Sequence, residues 1–281
     1  MSEKIKTTVI GAAGRMGRQI IKEISFLEKF ELIGAIEDKE SKFIGEDAFR
    51  LAEAKKESLS ITHNLIDSVV DSNVLIDFSS INSTLSAIEL SAQSRITHVI
   101  GTTGFSNKEE DLIKAAARHA TIIKSGNMSL GVNALLGILK KASQVLDSNW
   151  SVEITEVHHK DKKDHPSGTA LEIGKAISTG RNVNLEEAKD ISDPINVNED
   201  INLTAIKENL DRKNGKIGFS SYRKEGVVGD HSVIFNGEHE RIVFSHIAEN
   251  RDIFAKGALK AAEWGQDKEP GLFSMIDVLG F

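Results

Sequence analysis

The sequence predicts an α/β protein, a doubly wound parallel sheet followed by a second domain of α+β type. Three observations carry that expectation. Short apolar strands alternate with helical patterns from Ile5 to Lys124, the order that builds parallel sheets covered by helices. A glycine-rich turn, Gly11-Ala12-Ala13-Gly14-Arg15-Met16-Gly17, joins the first strand to the first helix. From Ile217 onward the pattern changes to consecutive strands.

Size and composition set the bounds. A chain of 281 residues buries roughly 75% of its unfolded surface and is long enough for two domains. Its 40% hydrophobic and 27% charged content, with three prolines, describes an ordinary globular protein. A net charge of −7 argues against nucleic acid as a partner. The absence of cysteine excludes disulfides and thiolate chemistry and removes most zinc-site recipes. Met1 to Lys6 lacks the apolar core of a signal peptide. No segment approaches the roughly 18 apolar residues of a membrane span. A cytoplasmic protein with no membrane partner is expected.

Ile5 to Ile10 reads as a strand, and Met16, Ile20, Ile21, Ile24 and Leu27 line one face of the helix after it. Phe30 to Ile36 is the next strand and ends in Glu37 and Asp38. Strand, glycine turn, helix and acid-tipped strand form the dinucleotide-binding arrangement, in which the turn admits a pyrophosphate and the acid accepts the ribose hydroxyls. The glycines depart from G-x-G-x-x-G, with Ala13 near the middle position. A structural turn in another βαβ protein is the competing reading. The phosphate loop of nucleoside triphosphatases fits nowhere.

Phe49 to Ala54 has a helical pattern, with a short strand expected near Ile61. Val74 to Phe78 is a buried-type strand, Thr84 to Gln93 a helix, and His98 to Ile100 a strand running into Gly101-Thr102-Thr103-Gly104. Ser106 and Glu109 have capping-box spacing before a helix through Arg118. Thr121 to Lys124 is the next strand, and Ser125-Gly126-Asn127-Met128 follows it. Small residues at strand carboxyl ends suit a cofactor rim. Val132 to Leu146 is amphipathic, an irregular helix is expected near Ile201 to Leu210, and Asn250 to Trp264 is a closing helix. The late strands are expected at Ile217 to Tyr222, Gly226 to Asn236 and Glu240 to His246, antiparallel in sequence.

The stretch Glu153 to Ala170 holds the densest chemistry. Ser151 to His158 alternates like a strand, and Lys160, Lys162 and Lys163 follow among Asp161 and Asp164. Pro166-Ser167-Gly168-Thr169 then opens a helical pattern, and a helix start is a natural cradle for a carboxylate or phosphate. A solvated basic loop is the plainer reading. Adjacent His158 and His159 point to opposite faces of a strand, which defeats chelation from one side, so no metal is expected. His231, His239 and His246 fall among the late strands, where interface or surface roles are expected.

These motifs occur in one order, with Asn127-Met128-Ser129-Leu130-Gly131-Val132-Asn133, Gly229-Asp230-His231 and Gly271-Leu272-Phe273 among them. Together they resemble the 4-hydroxy-tetrahydrodipicolinate reductase (dihydrodipicolinate reductase) family of lysine and diaminopimelate biosynthesis, along essentially the whole chain. The resemblance implies a Rossmann-type nicotinamide domain from residues 1–130 and 241–281, and a substrate-binding and tetramerisation domain from 131–240. It implies His158 and Lys162 as catalytic proton-handling residues, with His159, Gly168 and Thr169 binding a dicarboxylate substrate. It implies cofactor contacts at Gly11, Ala12, Ala13, Gly14, Arg15, Met16, Glu37, Gly101, Thr102, Thr103, Ser125, Gly126, Asn127 and Met128. The cofactor would be NADH or NADPH. Asp38 stands where NADPH-preferring members carry arginine, so a tilt towards NADH is expected, moderated by Lys39 and Lys42. Ser79 replaces the family's threonine and no contact is expected of Ser79 or Ser80. A sugar or amino-acid dehydrogenase of the same plan and a nucleotide sensor are the alternatives.

Overall fold

A computed structural model describes residues 3–54, 58–199, 212 and 215–281. They divide into two compact units, Met1–Leu130 with Asp252–Phe281, and Gly131–Arg251. No helix of the described residues is long and apolar enough to cross a membrane.

The first unit runs β1 (Ile5–Ile10), α1 (Arg15–Ile24), β2 (Phe30–Ile36), α2 (Ala48–Leu51), α3 (Leu65–Val70), β3 (Val74–Asp77), α4 (Ile81–Ser94), β4 (Thr97–Ile100), α5 (Asn107–Ala116) and β5 (Thr121–Lys124). The second runs α6 (Leu130–Val145), β6 (Ser151–His158), α7 (Gly168–Gly180), α8 (Leu185–Ala188), β7 (Lys189–Ile191), β8 (Ile195–Asn196), β9 (Ile217–Arg223), β10 (Asp230–Asn236) and β11 (Arg241–Ile247). The chain then returns to the first unit with α9 (Asp252–Gly265), β12 (Gly271–Phe273) and α10 (Met275–Leu279).

Six parallel strands in the order β12-β5-β4-β3-β1-β2 form the first sheet. Neighbouring residues of one strand serve opposite cores, because side chains alternate across a sheet. Val9, Ile76, Val99 and Ile123 join α1 and α9 on one face. Ile10 and Leu75 pack with Ala87 of α4, and Ile100 and Ile122 with Ile88 of α4 and Ile113 of α5, on the other. Burial on both faces explains why these strands read as continuous apolar runs. The Ser106–Glu109 capping box forms as expected, with Glu109 accepting the Ser106 amide at 2.6 Å.

In the second sheet, ordered β11-β10-β6-β9-β7, β6 is the middle strand. It runs antiparallel to β10 and parallel to β9, with Glu156 opposite both His231 and Ser221. The expected sequential antiparallel run therefore does not form between β9 and β10, because β6 separates them. β10 and β11 do pair antiparallel, so Arg241–Ile247 belongs to this sheet and the boundary falls at Asp252 rather than 241. The strand expected near Ile61 is reduced to isolated bridges, Asp47 to Ser60 and Ile36 to Thr62. The short helix α3 had no sequence expectation, and the helix expected near Ile201 to Leu210 lies outside the described residues.

Close backbone approach fixes α9. A Cβ added to Gly257 would fall on the carbonyl oxygen of Met128, backbone that cannot swing aside. Gly257→Ala is expected to cost about 1–3 kcal/mol, read as a lower urea midpoint for the first unit. An unchanged midpoint would contradict the packing described.

Candidate functional site

In the first unit, β1 is followed by Gly11, whose φ of +78° turns the chain sharply. A Cβ there would lie 2.6 Å from the Phe78 carbonyl oxygen, and one on Gly17 would lie 2.7 Å from Ala12 Cα. Both positions therefore require glycine, one for its dihedral and both for space. Gly14 is the N-cap of α1 and brings no capping side chain, which leaves the first amides of the helix, from Arg15 and Met16 onward, open to an anion. Glu37, just past β2, accepts the Ala13 amide at 2.7 Å. Asp38 is exposed, and its carboxylate accepts the Glu40 amide at 2.9 Å.

Beside this turn lies a cavity of about 460 Å³ lined by Arg15, Met16, Gly101, Thr102 and Thr103 together with Phe78, Ser79, Ser80 and Ile81. A Cβ on Gly126 would sit 3.7 Å from Thr103 Cγ2, so the Ser125–Met128 turn adjoins the same rim. Ser125 donates to the Asn127 carbonyl at 2.7 Å, and Met128 is buried beneath. The expected cofactor residues thus gather at the carboxyl ends of β1 to β5. Ser79 and Ser80, of which no contact was expected, line the cavity with them.

In the second unit, Glu156 is 1% exposed, on the face of β6 that meets the start of α7. Its Oε1 accepts the Ser221 hydroxyl at 2.7 Å and the Ser167 amide at 3.0 Å, with Arg223 Nη1 at 3.7 Å. Its Oε2 stands 3.3 Å from His158 Nδ1 and 3.7 Å from His231 Nε2. The two imidazoles meet edge to face at 5.1 Å, and His231 Nε2 also contacts the Ser167 hydroxyl at 3.2 Å. A Cβ on Gly229 would lie 2.9 Å from His158 Nε2, so the ring's second nitrogen lies against backbone that carries no side chain.

Arg223 straps the loop between β6 and α7. Its Nε donates to the Lys162 carbonyl at 3.1 Å and its Nη2 to the Asp164 carbonyl at 2.7 Å. Lys162 reaches both carboxylate oxygens of Asp164 at 2.8 Å, and its ammonium holds the Asp164 carboxyl below the usual range. Ser167 caps α7 by accepting the Ala170 amide at 3.1 Å. Gly168 is exposed with open space where a Cβ would be, and Thr169 is half-buried. His159, half-buried just past the strand, accepts the Lys162 amide on its carbonyl at 3.2 Å. Glu156, His158 and His231 each offer an atom within 4.8 Å of the others. A guanidinium 3.7 Å from the same carboxylate disfavours a cation there.

Residues 5–128 match the family model described as dihydrodipicolinate reductase, N-terminus, and residues 131–279 match that described as dihydrodipicolinate reductase, C-terminus. The chain belongs to the dihydrodipicolinate reductase family. It is 50% identical over 281 residues to the 4-hydroxy-tetrahydrodipicolinate reductase of Parvibaculum lavamentivorans, covering 100% of this chain and 99% of that one. It is 44% identical over 275 residues to that of Brucella abortus, covering 97% of each. In fold it is similar to a dipicolinate-bound dihydrodipicolinate reductase from Paenisporosarcina sp. TG-14, with TM-score 0.73, 20% identity, and coverage of 97% and 98%. An amine dehydrogenase from Mycobacterium smegmatis shares the plan more loosely, with TM-score 0.61, 10% identity, and coverage of 98% and 96%.

Membership in the dihydrodipicolinate reductase family makes the chain an oxidoreductase that uses a nicotinamide cofactor. The glycine cradle and the cavity at the strand ends fit such a dinucleotide. Three residues at the second cluster had no sequence expectation as site members: Glu156, Arg223 and Ser221. His231, expected at an interface or surface, is 4% exposed inside the cluster. The available signal was the register of β6, since residues opposite one another in a sheet are neighbours.

Protonation follows from these contacts. Burial pushes His231 down to about 3, helped by the charge of His158. Between about 3 and 6.5 the unfolded chain binds a proton that the folded chain refuses, so stability falls as pH falls. For Glu156, burial opposes ionisation, yet His158 at 3.3 Å and hydrogen bonds from Ser167 and Ser221 hold it at about 2, below its ordinary 4.5. A depressed carboxyl contributes stability above its unfolded value and loses it as pH falls towards its folded one, here from about 4.5 to about 2. The two effects share a sign. Resistance to denaturant is expected to fall from pH 6.5 towards 2. Glu156→Gln should flatten the part below about pH 4.5, a contribution on the order of 3 kcal/mol. A profile the substitution leaves unaltered would show that Glu156 is not held ionised.

Proposed function

We propose that the chain catalyses NAD(P)H-dependent reduction of 4-hydroxy-tetrahydrodipicolinate to tetrahydrodipicolinate. One observation carries this most directly. A histidine, His158, stands 3.3 Å from a buried carboxylate that also accepts the amide of the α7 N-cap residue, which would join a proton source to an anion cradle. The reaction consumes one hydride and one proton and releases water. Hydride arriving at a conjugated carbon drives negative charge to the far end of the conjugation, where it must be protonated. Glu156 stands 3.3 Å from His158 Nδ1 and would orient the ring, leaving Nε2 as the nitrogen for proton exchange. A positioned acid of this kind contributes about 10²–10⁴-fold.

Gly168 and Thr169 at the start of α7, with His159, would hold a substrate carboxylate, since an uncrowded helix N-terminus favours anions. The ion pair of Lys162 with Asp164 fits a role in charge stabilisation better than one as a free acid. The cofactor, when bound, supplies the hydride. Gly11 to Met16 would cradle its pyrophosphate, and Glu37 would accept its ribose hydroxyls. Gly101 to Thr103 and Ser125 to Met128 would form the rim of its other half. No metal enters this reading. A cytoplasmic homotetramer belongs to the same proposal, and sedimentation equilibrium tests the assembly.

Purified chain should oxidise NADH or NADPH with freshly made product of dihydrodipicolinate synthase, and pyridine-2,6-dicarboxylate should compete with substrate. Cofactor binding without turnover would favour a sensor instead. His158→Gln is expected to leave cofactor affinity nearly intact and reduce turnover by roughly 10²-fold or more, and near-normal turnover would remove His158 from the chemistry. Asp38 sets the proposed NADH tilt, because an exposed carboxylate beside the ribose site repels a 2′-phosphate. Asp38→Arg should raise the ratio of NADPH to NADH efficiency. No gain in NADPH use would refute the specificity argument.

A further inference from the structure

A second buried acid lies in the first unit, apart from the residues discussed so far. Asp77, the last residue of β3, is fully buried. Its Oδ1 accepts the Ser79 amide at 3.0 Å, the Ser79 hydroxyl at 2.5 Å and the Thr102 hydroxyl at 3.4 Å. Its Oδ2 faces Nε2 of His98, also fully buried, at 3.5 Å. The other side of that ring is fixed, with Nδ1 2.9 Å from Ser91 Oγ, and Ser91 donates to the Ala87 carbonyl at 2.6 Å. Ser79 and Thr102, whose hydroxyls donate to this carboxylate, are among the residues that line the cavity at the strand ends.

Each hydroxyl has a single proton and two lone pairs. With their protons directed to Asp77, Ser79 and Thr102 offer only acceptor capacity to anything in the cavity. The sheet order says which part of a dinucleotide would lie there. Glu37 follows β2 and the glycine turn follows β1, while β3, β4 and β5 lie on the other side of β1 from β2. An adenosine ribose at Glu37 and a pyrophosphate at the turn leave the ends of β3 and β4 to the nicotinamide half. The N–H donor on that half is the carboxamide NH₂.

We propose that Asp77 is a positioning residue for the cofactor, making Ser79 and Thr102 paired acceptors for the nicotinamide carboxamide NH₂. The proposal rests on the cofactor reading above. The purely structural alternative is that Asp77 only braces the turn after β3.

Calorimetric binding of NAD⁺ and of 3-acetylpyridine adenine dinucleotide, which carries methyl in place of NH₂, separates these. The full chain is expected to bind NAD⁺ about tenfold more tightly. Ser79→Ala and Thr102→Val should each narrow that ratio without abolishing binding. Asp77→Ala should collapse it, and Asp77→Asn, which keeps an acceptor oxygen in place, should preserve much of it. The hydroxyl variants retain the carboxylate and so test the idea even if Asp77→Ala fails to fold. Equal affinities in the unsubstituted chain, or a ratio unmoved in both hydroxyl variants, would overturn the proposal while leaving the cofactor assignment standing. Failure of both dinucleotides to bind would overturn that assignment and this proposal together.

Discussion

The second unit is organised around the ionised carboxylate of Glu156. A charge at 1% exposure is costly unless hydrogen bonds and opposite charge replace water. Here a strand neighbour, a helix cap, two imidazoles and a guanidinium converge on it, from β9, α7, β6 and β10. The Ser221 hydroxyl and the Ser167 amide donate to it, and the two imidazoles and the guanidinium stand within 3.7 Å. Ser167 is held where it caps α7, His158 is turned by its Nδ1, and Arg223 carries the strap to Lys162 and Asp164. Replacing the acid would leave two buried donors, the Ser221 hydroxyl and the Ser167 amide, without an acceptor, a larger loss than either contact suggests.

The two units reach rigidity by different means. In the first, the cradle depends on the backbone: a left-handed glycine, a glycine with no room for Cβ, and strand ends in register. Side chains there serve mainly as a rim, with Asp77 fixing two of them from below. In the second, backbone geometry supplies a strand end and a helix start, and side-chain hydrogen bonds do the rest. The contrast suits the proposed division of labour. A dinucleotide is long and recognised through phosphates and hydroxyls, whereas a proton donor needs one ring held in one orientation.

Most of the first unit was legible because its signals are local. Gly11 to Gly17, Ser106 with Glu109, and the apolar strands each state their structure within a few residues. The histidine–lysine stretch was legible through its resemblance to a family, and composition alone favoured a solvated loop. What escaped was set by pairing between distant strands. Glu156 looks like any alternating strand residue until β9 and β10 bring Ser221 and His231 opposite it. Ser79 departs from the family pattern, yet it lines the cavity. Arg241–Ile247 carries no local mark of its unit, since only its ladder with β10 shows where it belongs.

Ring-nitrogen NMR of His231 and His158, followed from pH 8 to pH 4, tests the central role of Glu156 most directly. Burial should keep His231 neutral across that range in the unsubstituted chain, even with the ionised Glu156 carboxylate beside it. The signals of both rings should change together in Glu156→Gln. A His231 that titrates near the ordinary value of 6.5, or two rings indifferent to the substitution, would contradict the account.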